Sequence, residues 1–309
     1  MDTSIMRMAG LAAVVATLPV ASAAEELRIG TAGLGGAFFP VGQTISNLVN
    51  RHADGMTMVP IVTGGAVENP RLLVSGEIDL GISNSNVAYY AYSGAAPFSE
   101  ALDIRSLGPL HFSAMHIATL AGSDITSIPD LRGRRVALGP AGGGAANFMQ
   151  SLLEVHGMEM TDIQPTFVSF ADGFSQLTDG NVDVAIASAG FPTAAVTQAL
   201  ATNQLSFIQV DEERLAALFE AHPYYSLFTA PAGIYGNADP IDMPGVVNVL
   251  VVSTDMDEDR AHALAEAIYG NLDEFIAENA LGNDIDPSLA LDLAVPLHPG
   301  ARRHFEARD

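Results

Sequence analysis

The chain contains no cysteine, no tryptophan and no lysine; all 13 of its basic residues are arginine. Each absence removes something. A Walker A phosphate loop needs its lysine, and so does a pyridoxal Schiff base, so both are excluded. Without a cysteine behind the leader described below, a lipid-anchored lipoprotein is excluded as well. Positive charge is scarce: 13 basic residues face 36 acidic ones, a formal net charge of −23. Such a chain is a poor partner for nucleic acid or anionic membranes, and the charge reads as an acidic, well-solvated surface.

Long apolar runs are also missing, apart from one near the start. Arg7 is a thin n-region, Met8 to Val20 is an apolar run, and Ala21-Ser22-Ala23 is a small-residue cleavage site. Together they read as a secretory signal peptide over residues 1–23. The leader predicts export to the periplasm. No later stretch approaches the ~18 apolar residues of a membrane span, so the mature chain is expected to be soluble, and a monomer is expected.

What the chain has in quantity is glycine, and it is placed twice in the same way. Leu27-Arg28-Ile29 leads into GTAGLGGA from Gly30, and Ala137-Leu138 leads into GPAGGGAA from Gly139; at an offset of 109, Gly30, Ala32, Gly33, Gly35 and Ala37 fall on Gly139, Ala141, Gly142, Gly144 and Ala146. Both loops follow a strand-like run and precede a helical pattern, Val41 to Asn50 and Ala146 to His156. Each copy continues with a second strand (Met58 to Val62; Thr166 to Ser169), a helical run (Val67 to Ser75; Gly173 to Thr178) and a Gly-x-(Ile/Val)-Asp pattern at Gly76–Asp79 and Gly180–Asp183. Strands alternating with helices predict parallel sheets of β-α-β units, and two such halves predict two similar α/β lobes. Met115 to Leu120 is expected to carry the chain into the second lobe, Val246 to Val252 to bring it back, and Asp257 to Asn279 to form a closing helix. The division is 24–114 plus 232–309 for lobe one and 115–231 for lobe two. Ligands of open α/β sheets sit at the carboxyl ends of the strands, where both glycine loops fall. The expectation is a clamp that closes on a small, negatively charged ligand in a cleft between the lobes.

Other chemistries fail on particular residues. The dinucleotide fingerprint lacks its third glycine, replaced by Phe38 and Asn147, and the acid expected after Val62-Thr63-Gly64-Gly65. There is no G-x-S-x-G and no H-E-x-x-H. His111 and His116 read as strand residues rather than metal ligands, and Asp255 to Asp259 as a solvated helix start rather than a calcium loop. No metal and no cofactor is expected. Arg71 reads either as a carboxylate clamp or as a structural side chain on its helix.

Several blocks, in order, resemble the TAXI-type solute receptors of TRAP transporters: GTAGLGGAFFPVG, VTGGAVENPRLLVSGEIDLGISNSNVAYYAYSG, LRGRRVALGPAGGGA, FPTAAV and PLHPGA. The resemblance covers nearly the whole mature chain. It implies a two-lobed type II periplasmic binding protein fold with the ligand cleft between lobes, no catalysis, and delivery of a small organic acid ligand to sodium-driven TRAP membrane subunits. The ligands it implies are of the glutamate, glutamine or 2-oxoglutarate kind. In lobe one it implies a site at Thr31, Gly35, Gly36, Phe39, Thr63, Gly64, Asn84, Ser85 and Asn86. In lobe two it implies Gly142, Gly143, Gly144, Ala145, Gly190, Phe191 and Pro192. Backbone N–H groups would take the anion, Asn84, Asn86 and Thr63 would orient it, and Phe39 would cover an apolar part.

The chain departs from the family pattern where side chains would discriminate. Phe38-Phe39-Pro40 replaces Tyr-Tyr-Pro, Asn84-Ser85-Asn86 replaces Gln-Ser-Asp, and Gly142 to Ala146 replaces Gly-Ser-Gly-Thr-Glu. The departures point to an acid that is bulkier or more apolar and less dependent on hydroxyl contacts. Two other classes stay open: a ligand sensor that docks on a membrane receptor, and an enzyme on a similar fold, which would need a titratable pair in the cleft.

Overall fold

The structure, a computed structural model, describes residues 24–34, 37–141 and 143–307. The leader, Gly35, Gly36 and Gly142 lie outside the described residues. The first half runs β1 (Glu25–Gly30), α1 (Phe38–His52), β2 (Met56–Ile61), α2 (Glu68–Val74), β3 (Leu80–Asn84) and α3 (Ser85–Ser93). A long strand, β4 (Ile104–Leu120), leads to the second half: β5 (Arg135–Ala137), α4 (Gly144–Val155), β6 (Gln164–Thr166), α5 (Phe170–Thr178), β7 (Val184–Ala189), α6 (Ala194–Leu200), β8 (Leu205–Phe207), α7 (Glu212–Ala221) and β9 (Tyr225–Ala230). A second long strand, β10 (Ile241–Ser253), returns to α8 (Glu258–Tyr269), α9 (Leu272–Glu278) and α10 (Pro299–Glu306).

The two repeats build two parallel units. In the first, β1 pairs in parallel with β2 and β3; in the second, β5 pairs in parallel with β6 and β7. The antiparallel strands β4 and β10 lie between them, giving the order β2-β1-β3-β10-β4-β7-β5-β6. β10 pairs with β3 over Asn248–Val252 and with β9 over Ile241–Val246, so a single strand serves both halves. β4 does the same, pairing with β10 and then, from Ala114 to Ala118, with β7.

Apolar burial follows that division. Around β1 and β3 the buried side chains include Leu27, Ile29, Leu80 and Ile82, packed on the Val41, Ile45, Leu48 and Val49 face of α1 and on Leu264 and Ile268 of α8. The spacing on α1 is the i, i+4, i+7, i+8 stripe of a helix with one buried face. Around β5 and β7, Val136, Val184 and Ile186 pack on Phe148, Leu152 and Leu153 of α4. Each such side chain contributes roughly 1.5–3 kcal/mol when taken out of water.

The Gly-x-(Ile/Val)-Asp repeat has one physical cause in both halves. The Asp79 carboxylate accepts from the Arg28 backbone N–H at 2.8 Å and from its Nε at 3.3 Å; Asp183 accepts from Arg135 N–H at 2.9 Å and Nε at 3.1 Å. The same guanidinium groups donate to the carbonyls of Gly76 and Gly180, which turn the chain out of α2 and α5 with φ of 73° and 72°. Each clasp ties the first strand of a unit to the residue just before the third.

Several boundaries differ from the sequence expectation. β4 starts at Ile104 rather than Met115, and β10 at Ile241 rather than Val246. Gly108-Pro109 and Pro244-Gly245 look like strand breakers. Here Gly108 leaves room for the Tyr269 ring, whose hydroxyl donates to the Pro109 carbonyl at 3.0 Å, and Gly245 lets β10 approach the backbone of Ser113. The closing helix is two helices, broken at Gly270-Asn271. β6 is Gln164–Thr166, earlier than the expected Thr166 to Ser169, because Ser169 caps α5 by accepting from the Asp172 N–H. Among the described residues no helix is long and apolar enough to cross a membrane.

Candidate functional site

The two glycine loops meet at one cavity of about 870 Å³. Its wall is formed from the first half by Ala32, Gly33, Phe38, Gly64 and Asn84, from the second by Gly143, Gly144, Ala145, Phe170, Gly190, Phe191 and Pro192, from β4 by His111 and Ser113, and from the turn after α9 by Leu281 and Asp284. Of the expected site residues, Gly64, Asn84, Gly143, Gly144, Ala145, Gly190, Phe191 and Pro192 line this cavity. Gly35, Gly36 and Gly142 lie outside the described residues.

The other expected residues stand behind the wall. Thr31 is fully buried and its hydroxyl donates to the Ile61 carbonyl at 2.7 Å. Thr63 donates to Asn69 Oδ1 at 2.7 Å and accepts from the Gly65 N–H, holding its own loop. Ser85 Oγ donates to the Tyr224 carbonyl at 3.1 Å, and Asn86 Nδ2 donates to the Tyr225 hydroxyl at 3.4 Å. These contacts support the site rather than face it. Phe38, not Phe39, is on the cavity wall, set at 6.2 Å edge-to-face against His111. Arg71 takes the structural one of its two readings: it donates to the Pro97 carbonyl at 2.8 Å and lies 4.8 Å from the centre of the Phe98 ring.

The anion-holding capacity of the loops is unequal. The Gly64 N–H donates to the Glu68 carboxylate and the Gly65 N–H to Thr63, so that loop satisfies itself. The α5 start is capped by Ser169 and carries Asp172. The α4 start has Gly143 as its cap residue, no side-chain cap and no acid in its first turn. Its first N–H groups have no acceptor within the helix and sit at the positive end of its dipole, an arrangement worth roughly 0.3–2 kcal/mol to an anion.

The bareness of this loop has a steric reason. A Cβ on Gly144 would stand 2.8 Å from Asn84 Oδ1 and 3.4 Å from Asn86 Oδ1. Asn84 cannot swing aside: its Nδ2 donates to Asn248 Oδ1 at 2.7 Å, and Asn248 Nδ2 donates in turn to the His111 carbonyl at 2.8 Å and to Ser113 Oγ at 3.0 Å. Asn248 sits where the register of β10 on β4 slips between Val247 and Val249. This buried amide chain joins the two long strands to the cavity floor. Its members Asn248 and Ser113 fall in stretches that read as plain apolar strand, so the sequence carries no signal for them.

Two titratable side chains on the wall were also absent from the expected set. His111 is 1% exposed, and neither ring nitrogen has a hydrogen-bond partner among the described residues; burial lowers its pKa to about 4. Asp284 is half-buried, with burial pushing its carboxyl above the ordinary range. No arginine is among the described residues on this wall. Deeper, His116 is also lowered to about 4 by burial. Its Nδ1 lies 3.1 Å from the Ala114 carbonyl and 3.3 Å from that of Ala187, both acceptors only, so Nδ1 carries the proton and Nε2 accepts from the Tyr235 hydroxyl at 2.7 Å. That hydroxyl accepts the Thr193 N–H at 2.9 Å, fixing the Phe191-Pro192-Thr193 turn. Tyr235→Phe leaves His116 Nε2 and the Thr193 N–H without partners. A loss of roughly 1–3 kcal/mol is expected, read as a lower urea midpoint at unchanged slope.

A cavity between two α/β halves that share two long antiparallel strands defines the two-lobed fold of periplasmic binding proteins. Residues 29–307 match the model of the NMT1-like family, and the chain belongs to that family. A curated protein of Escherichia coli (strain K12), named for binding aliphatic sulfonates, is 32% identical over 110 residues. That match covers 35% of this chain and 32% of the relative, so the chain spans about a third of that relative's length. The crystal structure of the periplasmic aliphatic sulphonate binding protein SsuA from Escherichia coli is similar over 91% of this chain and 83% of its own, with a TM-score of 0.53 at 18% identity. A periplasmic sulfonate-binding protein SsuA from Methylobacillus flagellatus KT, named for a sulfonate ABC transporter, is similar over 92% and 78%, with a TM-score of 0.52 at 14% identity. At these identities the likeness is one of fold.

Proposed function

We propose that this chain is an exported solute receptor that closes its two lobes, 24–114 plus 232–309 and 115–231, on a small organic acid and hands it to a membrane permease. The observation that carries the reading is the uncapped start of α4, with Gly143, Gly144 and Ala145 on the wall of a mostly apolar cavity between the halves. The Gly143 N–H is taken by the Pro140 carbonyl at 3.1 Å, so the acid group would lie on the N–H groups of Gly144 and Ala145. Phe38, Phe170, Phe191 and Leu281 would cover the ligand's body. Asn84, pinned by Asn248, would orient it.

The membrane partner proposed is a TRAP permease, on the strength of the ordered sequence blocks that resemble TAXI-type receptors. A second reading, an ABC permease with a sulfonate ligand, is favoured by the segment 32% identical to the Escherichia coli relative. Uptake into proteoliposomes carrying the cognate membrane subunits separates them: a sodium gradient drives the first, ATP hydrolysis the second. An enzyme on this fold would draw on His111 and Asp284. A histidine with a pKa of about 4 is a weak general base near neutrality, so the receptor reading is preferred.

A thermal-shift screen of carboxylic acids, sulfonic acids and amino acids tests the reading. A ligand at 100 times its Kd stabilises the closed state by about 2.7 kcal/mol, roughly 5 °C for a chain of this size. A flat response to every compound would count heavily against a receptor.

A further inference from the structure

Asp284 places a carboxylate on the wall of a cavity expected to take an acid. It ends the 3-10 turn Ala280–Asp284 that follows α9, and with Leu281 it reaches the cavity from the first half of the molecule. Its Oδ2 comes to 3.5 Å from the point where a Cβ of Gly190 would stand, so it faces the end of β7, in the second half, across the cleft. No side-chain or backbone group among the described residues donates to it, and none of the described wall residues is a lysine or an arginine that could balance it. Of the buried polar side chains on the wall, Asn84 and Ser113 are engaged with Asn248, while His111 has two unpartnered ring nitrogens and is neutral near pH 7. A ligand with a second negative charge would bring that charge toward an unbalanced carboxylate in a partly desolvated cleft, where like charges repel strongly. A ligand with a positive or N–H-bearing group would give Asp284 the partner it lacks.

We propose that Asp284 is a specificity-determining residue, selecting organic acids that also carry an amine and rejecting dianions. The inference rests on the receptor reading above and narrows its ligand class. The anionic group lies on the start of α4 and the ammonium on Asp284.

The test uses pairs of compounds that differ in the amine, titrated calorimetrically against the full mature chain: glutamate and 2-oxoglutarate, leucine and 4-methyl-2-oxopentanoate, 2-aminoethanesulfonate and ethanesulfonate. The Asp284→Asn variant is run beside the wild type, with its melting temperature checked in the absence of ligand. In the wild type, the amine-bearing member of whichever pair binds is expected to be at least tenfold tighter. In Asp284→Asn that preference falls at least tenfold, the amine-free partner binds as well as before or better, and the unliganded melting temperature stays put. An amine-free member that binds the wild type as tightly as its partner overturns the proposal and leaves the receptor reading standing. So does an equal weakening of both members in the variant. If no compound of the three pairs binds, and the broader acid screen is also flat, both readings fall together.

Discussion

Acidified from pH 7 to pH 4, the protein is expected to lose about 6 kcal/mol of folding free energy through His111 and His116. Each is held neutral by burial, with a pKa lowered from 6.5 to about 4. In the unfolded chain each ring takes a proton near pH 6.5; in the folded chain it does not until about pH 4. The unfolded state therefore binds more protons across that window. Stability is full above pH 6.5 and falls toward pH 4, by about 3 kcal/mol per histidine at 1.36 kcal/mol per unit. The opposite tendency comes from the net charge of −23, whose self-repulsion eases as carboxylates are protonated. The variants separate the two. Urea midpoints measured from pH 7 to pH 4 should show a shallower pH slope for His111→Gln than for wild type, by up to one proton's worth. His116→Gln should share that shallower slope while starting from a lower stability, because it breaks the link to Tyr235. Wild-type slopes in both variants would mean that the rings are already charged, or already hydrated, in the fold.

The second large effect is at Gly144. Replacing it by valine is expected to weaken ligand binding by roughly tenfold to a hundredfold while the protein stays folded. The Cβ alone would press on Asn84 Oδ1, and Asn84 is fixed through Asn248 to both long strands. The start of α4 must then move away from the first half, carrying with it the N–H groups assigned to the acid. Overpacking of this kind costs about 1–3 kcal/mol, and each 1.4 kcal/mol is tenfold in affinity. Unchanged affinity in Gly144→Val would show that the helix start plays no part in holding the ligand.

Much of this architecture is legible in the sequence because the chain states it twice. Glycine loops at Gly30 and Gly139, each between an apolar run and a helical pattern, mark the two parallel units. The repeated aspartates Asp79 and Asp183 mark the third strand of each, and they turn out to be arginine clasps. The long strands are less legible, since Gly108-Pro109 and Pro244-Gly245 resemble breaks when local rules are applied. Only the packing of Tyr269 and of the β10 crossing explains them. The cavity is half legible. Residues on the loops could be named from their position at strand ends, yet which of them face inward depends on pairing partners far away. Thr31 and Thr63 satisfy neighbouring backbone or the Asn69 side chain, and Ser85 reaches a carbonyl on the other half. His111, Ser113, Asn248 and Asp284 lie in strand or turn segments with no local mark. Their association is a product of topology: the register slip at Asn248 and the turn after α9 bring them to one place.

The most direct measurement is a crystal structure of the mature chain with the strongest hit from the acid screen. The account predicts the acid group within about 2.7–3.2 Å of the N–H groups at the start of α4, with the ligand's body between Phe38 and Phe191. An acid group bound elsewhere on the chain, or one in this cavity turned away from α4, would contradict it.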